Sequence, residues 1–318
     1  MSSTETISLE NVASSVTTEV LTIAQLAYGI PSFLLMIIFF IRLARSKQYS
    51  STFYRLVQIN LLVNITCFIN SWFAFRFERH ISSSAFLKWL EALVPGFLTL
   101  SKMSTYFFMH MQFLAAAVLS IHRITSVLCP MNYEKNWARF YILICISGSI
   151  YSAALPNVVL GYQIPMKVEV VNGVLSKIKN VKVYYDYVVL TATFSIIYFL
   201  TLGALGWYTS HVVKKAINSE RSIANTKLIK TLTKTALAYC FVDLGILMFN
   251  TITGLDTIFK LLPESFDDIK LVLLSFSSDM TFSLPYILLI FDGNIKKDIF
   301  CRKQAAVGAI KSVTPIAT

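Results

Sequence analysis

The chain has 318 residues, of which 55% are hydrophobic and only 14% charged, with a mean hydropathy of +0.63 and a net charge of +11. Soluble domains carry about 25% charged residues and disordered chains need low hydrophobicity, so both classes are excluded. The apolar residues fall in blocks of about 20, the length that a bilayer core of about 30 Å demands of a spanning helix. An all-α multi-pass membrane protein is therefore expected.

Apolar runs bounded by charge predict seven spanning helices, at about 20–41, 53–75, 97–127, 140–162, 187–210, 232–255 and 269–291. The first run is too long, and its flank too acidic, for a cleaved signal peptide. The expected division is an N-terminal tail over 1–19, a membrane domain over 20–292 and a C-terminal tail over 293–318. Pro95-Gly96 breaks the third apolar stretch and leaves an interfacial piece at about 86–94. Between spans four and five, alternating residues flank Asn172-Gly173, the strongest short signal for a two-residue turn, so 167–179 is predicted as a β-hairpin lid. After span seven, Ile295, Ile299 and Phe300 recur at helical spacing opposite Lys296, Lys297 and Lys303, which predicts a short amphipathic helix on the membrane surface.

Charge sorts the loops. With the N-terminus outside, 18 of the 28 Lys and Arg residues fall on the inner side together with only three acidic residues, which leaves +15 inside, −1 outside and −3 within the spans. Inner loops are enriched in Lys and Arg, so an outer N-terminus and an inner C-terminus are expected. The basic excess then needs no nucleic-acid partner. The five cysteines are odd in number and lack the spacing of a metal or disulfide framework. The four histidines, His80, His110, His122 and His211, are far apart, and no Gly-rich phosphate loop follows a strand. Neither an enzyme nor a cofactor or metal is expected. Asn64-Ile65-Thr66 has the glycosylation pattern but lies inside span two, out of a transferase's reach.

At the inner end of span three, Leu119-Ser120-Ile121-His122-Arg123 leads to Pro130 seven residues on. This arginine and proline resemble the Asp-Arg-Tyr region of rhodopsin-like G-protein-coupled receptors. Arg123-Ile124-Thr125-Ser126, then Pro130-Met131-Asn132-Tyr133-Glu134-Lys135, with Leu284-Pro285-Tyr286-Ile287-Leu288-Leu289-Ile290-Phe291-Asp292, is similar to the nematode serpentine receptors of class gamma. The resemblance runs from span one to the tail. It implies a rhodopsin-like seven-helix bundle, a plasma-membrane chemosensory receptor of sensory neurons, a small-molecule ligand and a heterotrimeric G protein facing His122, Arg123 and Pro130. Lys214 and Lys215, at the inner end of span five, would join that face or simply obey the inner-side charge rule. The chain departs from the wider receptor pattern: His122 stands where the acidic brake is usual, span six lacks its proline, Leu284 replaces an asparagine, and the usual outer disulfide cannot form.

Eighteen residues make five turns, so Thr105 lies over the face of span three that carries Arg123, about 27 Å away. Met109, Gln112 and Ala116 fall near that line, and Tyr106 and His110 flank it. The candidate pocket is Lys102, Thr105, Tyr106, Met109 and His110, joined by Asn70, Trp72, Ser195, Asn250 and Ser275. Each could equally pack between helices. Lys102 would bind an anionic ligand group with His110, or extend to outer headgroups. Asp243 and Asp279 are costly charges within spans; with Tyr286, seven residues beyond Asp279, they form either a polar relay or a buried hydrogen-bonded pair. Cys301 beside Arg302-Lys303 is a candidate lipidation site. A seven-span ligand-gated channel, with its N-terminus inside, and a transporter, with paired repeats, are the competing functions.

Overall fold

The computed structural model describes residues 4–10, 16–129, 131–219, 223–260, 280–291 and 295–296. Helix α1 (Val16–Arg45) is followed by α2 (Thr52–Ser71), α3 (Ser84–Leu93), α4 (Phe97–Leu128), α5 (Tyr133–Val159), α6 (Val181–Ser219), α7 (Ile223–Phe259) and α8 (Ser283–Phe291). Five segments are long and apolar enough to cross a membrane: Thr18–Arg45, Thr52–Arg79, Phe97–Leu128, Tyr133–Val159 and Val181–Val212. The 37 residues of α7 also exceed a bilayer core in length, and α8 lies in the predicted seventh span. The serpentine helical bundle is as expected. Helices α5 and α6 begin before the predicted spans because the hydropathy pattern marks only their apolar part; polar first turns, such as Tyr133-Glu134-Lys135, are helical too. The predicted surface helix and Cys301 lie outside the described residues.

Helix α4 is the axis of the packing, in contact with α2, α5, α6 and α7. Its Ala116, Ala117 and Ser120 are buried, and such small side chains let neighbouring helices approach closely in lipid. Around them Phe39, Leu61, Phe113, Tyr198, Leu202, Leu247 and Leu288 form the main core. Leu34, Ile146, Leu200 and Phe241 stay exposed on outward faces, the face a bilayer would cover.

Helix α2 ends in a widened π turn, Trp72–Arg76, and a 3-10 turn, Phe77–Arg79. The widened turn places the Arg76 guanidinium over both Phe68 and Trp72, 5.2 and 5.1 Å from the ring centres. At the predicted Pro95-Gly96 break, Gly96 takes a φ of 86°, a left-handed conformation that suits glycine. The buried Glu91 carboxylate then accepts the backbone N–H groups of Gly96 (2.5 Å) and Leu98 (3.0 Å), so it neutralises the start of α4. Glu91→Ala is expected to cost about 1–2 kcal/mol and to lower the Tm of the purified protein, whereas Glu91→Gln should lose less.

The hairpin forms as predicted. Strands β2 (Met166–Val171) and β3 (Val174–Asn180) pair antiparallel, and both turn residues have positive φ, 51° at Asn172 and 80° at Gly173, the geometry of a type I′ turn. A third strand was not foreseen: Thr4–Ser8, inside the expected tail, pairs with β3 as an outer strand, giving the order β1-β3-β2 when it is labelled β1. A lone hairpin is marginal, and three strands docked on a helix are not. Docking uses Leu9, Val168 and Leu175 against Leu87 and Leu98, and Thr99 Oγ1 accepts the Val168 N–H at 3.0 Å.

Glu10 latches the sheet. Its Oε1 accepts the Leu175 N–H at 3.1 Å and Lys88 Nζ at 3.4 Å, while Lys88 also donates to the Gly173 carbonyl. The Leu175 N–H, and then Lys88, hold the Glu10 carboxyl below its ordinary value. A carboxylate whose folded pKa is depressed contributes above its unfolded pKa and stops contributing as pH falls through the folded one. The lid of the wild type should thus resist proteolysis better than that of Glu10→Gln at pH 7, and the difference should vanish as the carboxyl protonates.

Candidate functional site

A cavity of about 600 Å³ lies between the lid and the helices. Ala74 and Phe75 from the π turn, Lys102, Met103, Thr105 and Tyr106 from α4, Met166 and Lys177 from the lid, Tyr184, Tyr187 and Thr191 from α6, and Asn250 and Gly254 from α7 line it. Its size suits a small organic molecule. A second chamber of about 120 Å³, lined by Asn70, Phe108, Met109, Gln112 and Ile246, shares Phe75, Thr105 and Asn250 with the first. Lys102, Thr105, Tyr106 and Asn250 from the sequence-derived set thus meet on one cavity, and Asn70 and Met109 on its neighbour. The rings of Tyr106 and Tyr187 meet edge to face, 3.8 Å between centres.

Other candidates fall elsewhere. His110 lines neither chamber. It is buried on the side facing α5 and α6, with Nδ1 2.6 Å from the Tyr198 hydroxyl, which in turn lies 3.1 Å from that of Tyr151. Five residues from Thr105 turn it about 140° round the helix, which removes it from the expected anion site. Lys102 does not extend outward to headgroups: its Nζ pairs with Glu78 and donates to the Ala74 carbonyl at 2.7 Å. Trp72 packs against Phe68 and Phe77, and Ser195 reaches the Met109 sulfur at 3.9 Å. Ser275 lies outside the described residues.

At the opposite end of α4, Arg123 is 3% exposed, and its guanidinium carbon lies 3.4 Å from the centre of the Phe53 ring on α2. His122, one step round the helix, is turned from any open face and packs on Trp137 at 4.9 Å and on Tyr133 and Phe53. Glu134 joins α5 to α2 by accepting both the N–H (2.6 Å) and the hydroxyl (2.7 Å) of Thr52, the first residue of α2. Lys214 and Lys215 are exposed on α6, and Pro130 lies outside the described residues.

The profile described as Srg family chemoreceptor matches residues 22–299. The chain belongs to this family. It is 35% identical over 299 residues to serpentine receptor class gamma-47 of Caenorhabditis elegans, covering 91% of this chain and 93% of that one. With serpentine receptor class gamma-53 of the same organism it is 26% identical over 276 residues, covering 86% and 89%. This Srg chemoreceptor is thus a multi-pass membrane receptor, and the class-gamma resemblance read from its motifs is correct.

Two of the three relay candidates, Asp243 and Tyr286, lie among the described residues. Asp243 is buried on α7, and its Oδ2 has no hydrogen-bond partner among the described residues. Tyr286, however, is 42% exposed and turns to α1, with its hydroxyl 2.7 Å from Ser32 Oγ. A 3-10 turn, Met280–Phe282, leads into α8. Asp279 itself lies outside the described residues. Lys177, Glu78, Tyr184 and Tyr187 were missed by the sequence reading. Only the alternation of the hairpin, which puts Lys177 on a defined strand, pointed toward one of them.

Proposed function

We propose that this receptor detects a small molecule in the 600 Å³ cavity and activates a heterotrimeric G protein at the end of the bundle that carries Arg123, in the plasma membrane of sensory neurons. The N-terminus and lid then face outward. The observation that carries the reading is the cavity itself, bounded on one side by the lid and on another by α4, whose far end holds Arg123 beneath Phe53. One continuous helix touches both places, so a ligand that shifts α4 or its neighbours can change the cover over Arg123. Lys214 and Lys215 add positive charge at that end.

The test is a small-molecule screen on cells co-expressing the receptor and candidate Gα subunits, with Arg123→Ala as control. A response lost in Arg123→Ala at unchanged surface expression supports the reading. A ligand-gated current in cells without the G protein would replace it with the channel.

A further inference from the structure

We infer that the ligand carries one negatively charged group, bound between Lys102 of α4 and Lys177 of the lid; this rests on the cavity being the ligand site. Three separate elements converge there. Glu78, from the 3-10 turn after α2, pairs with Lys102 and lies 3.5 Å from Lys177 Nζ. Both lysines line the cavity, whereas no Asp or Glu appears among the described residues that do. The three groups carry a net charge of +1, and their side chains are only 10%, 24% and 8% exposed for Lys102, Lys177 and Glu78.

A charge withdrawn from water is costly unless a counter-charge accompanies it. Glu78 supplies half of what two ammonium groups require, and it does so from behind the cavity wall. An anionic group entering from the cavity side completes the balance. The walls beyond the lysines are mostly aromatic and apolar, with Tyr106, Tyr187, Val188 and Phe249 beside the polar Thr105, Thr191 and Asn250, so the body attached to that group is largely apolar. Because Lys177 sits on the lid and Lys102 on α4, a bound anion ties the lid to the helix that reaches Arg123. Glu78 competes for the same two lysines.

The charge can come from a soluble acid or from a lipid headgroup. A photoreactive decanoic acid bearing a diazirine, and its primary amide, are applied to the purified receptor in phosphatidylcholine nanodiscs, and the labelled peptides are mapped by mass spectrometry. The acid should label cavity peptides of α6 or α7 at least about tenfold more than the amide, as loss of a buried charge pair implies. Lys102→Met and Lys177→Met should each cut that labelling by about tenfold, while Glu78→Gln should raise it. Opposite signs from variants of one cluster separate binding from damage to the fold. Suppression by added phosphatidylglycerol assigns the anion site to a lipid headgroup; no suppression assigns it to a soluble acid. Equal labelling by acid and amide, labelling outside the cavity only, or lysine variants that label like the wild type would overturn the inference. Signalling plays no part in this readout, so failure of the receptor reading would appear separately, as cavity labelling without G-protein activation.

Discussion

Phe53→Ala should raise the ligand-independent output of the receptor by about five- to thirtyfold at unchanged surface expression. The ring covers the Arg123 guanidinium at 3.4 Å, and Arg123 is 3% exposed. A partner therefore cannot reach the arginine while it stays covered. A desolvated cation–π contact contributes about 1–2 kcal/mol. If it exists only in the covered state, removing it shifts the population toward the uncovered state by the corresponding factor. Phe53→Tyr keeps the ring and should leave basal output unchanged, whereas Arg123→Ala in the Phe53→Ala background should silence it. In rhodopsin-like receptors an acidic neighbour restrains this arginine. Here His122 occupies that position and faces Trp137, the Phe53 ring of α2 packs over the arginine, and Glu134 holds the end of that helix. Unchanged basal output in Phe53→Ala would remove the ring from this role.

The second large effect is expected at Gly254. A Cβ there would lie 2.6 Å from the Ala192 Cβ and 3.4 Å from its Cα, so α6 and α7 meet on this glycine at the cavity wall. Close approach at small residues is how helices associate in lipid, where apolar burial gives little drive. Gly254→Ala must push the helices apart, and overpacking of this kind costs about 1–3 kcal/mol. The expected result is a Tm lowered by a few degrees and a weaker ligand response, both restored in part by Ala192→Gly in the same chain, since residues in contact are coupled. Gly203→Ala is the control: an added Cβ there meets nothing within 4 Å, and stability should not fall. A Gly254→Ala receptor as stable as the wild type would mean that the helices have room to spare.

Periodic or local features were legible in the sequence. Seven apolar blocks predicted the bundle, and Asn172-Gly173 predicted the turn with both residues at positive φ. The third strand was not, because Thr4–Ser8 is short and mostly exposed and becomes a strand only through pairing with β3. Of the four cavity residues on α4 and α7 named from the sequence, Thr105 and Tyr106 follow from counting a helical face along the chain from Arg123, Lys102 from its charge and Asn250 from its polar side chain. His110 was misplaced by the same counting, as a residue 140° round a helix serves a different neighbour. Tyr286 turns its hydroxyl to Ser32 of α1, a contact that hydropathy does not encode. Lys177 and Glu78 look like ordinary charges at the edge of a membrane. Only the fold of the lid over the π turn brings them to Lys102.

The proposed ligand cavity lies at one end of α4 and the proposed G-protein contact at the other. Nucleotide exchange on purified Gα, measured with receptor in nanodiscs and a screened ligand, tests this link most directly when wild type, Thr105→Trp and Arg123→Ala are compared. Thr105 lines both chambers, so the tryptophan should abolish ligand binding and exchange together. Arg123→Ala should keep binding and lose exchange. Ligand-driven exchange that survives the filled cavity, or that persists without Arg123, would contradict the account.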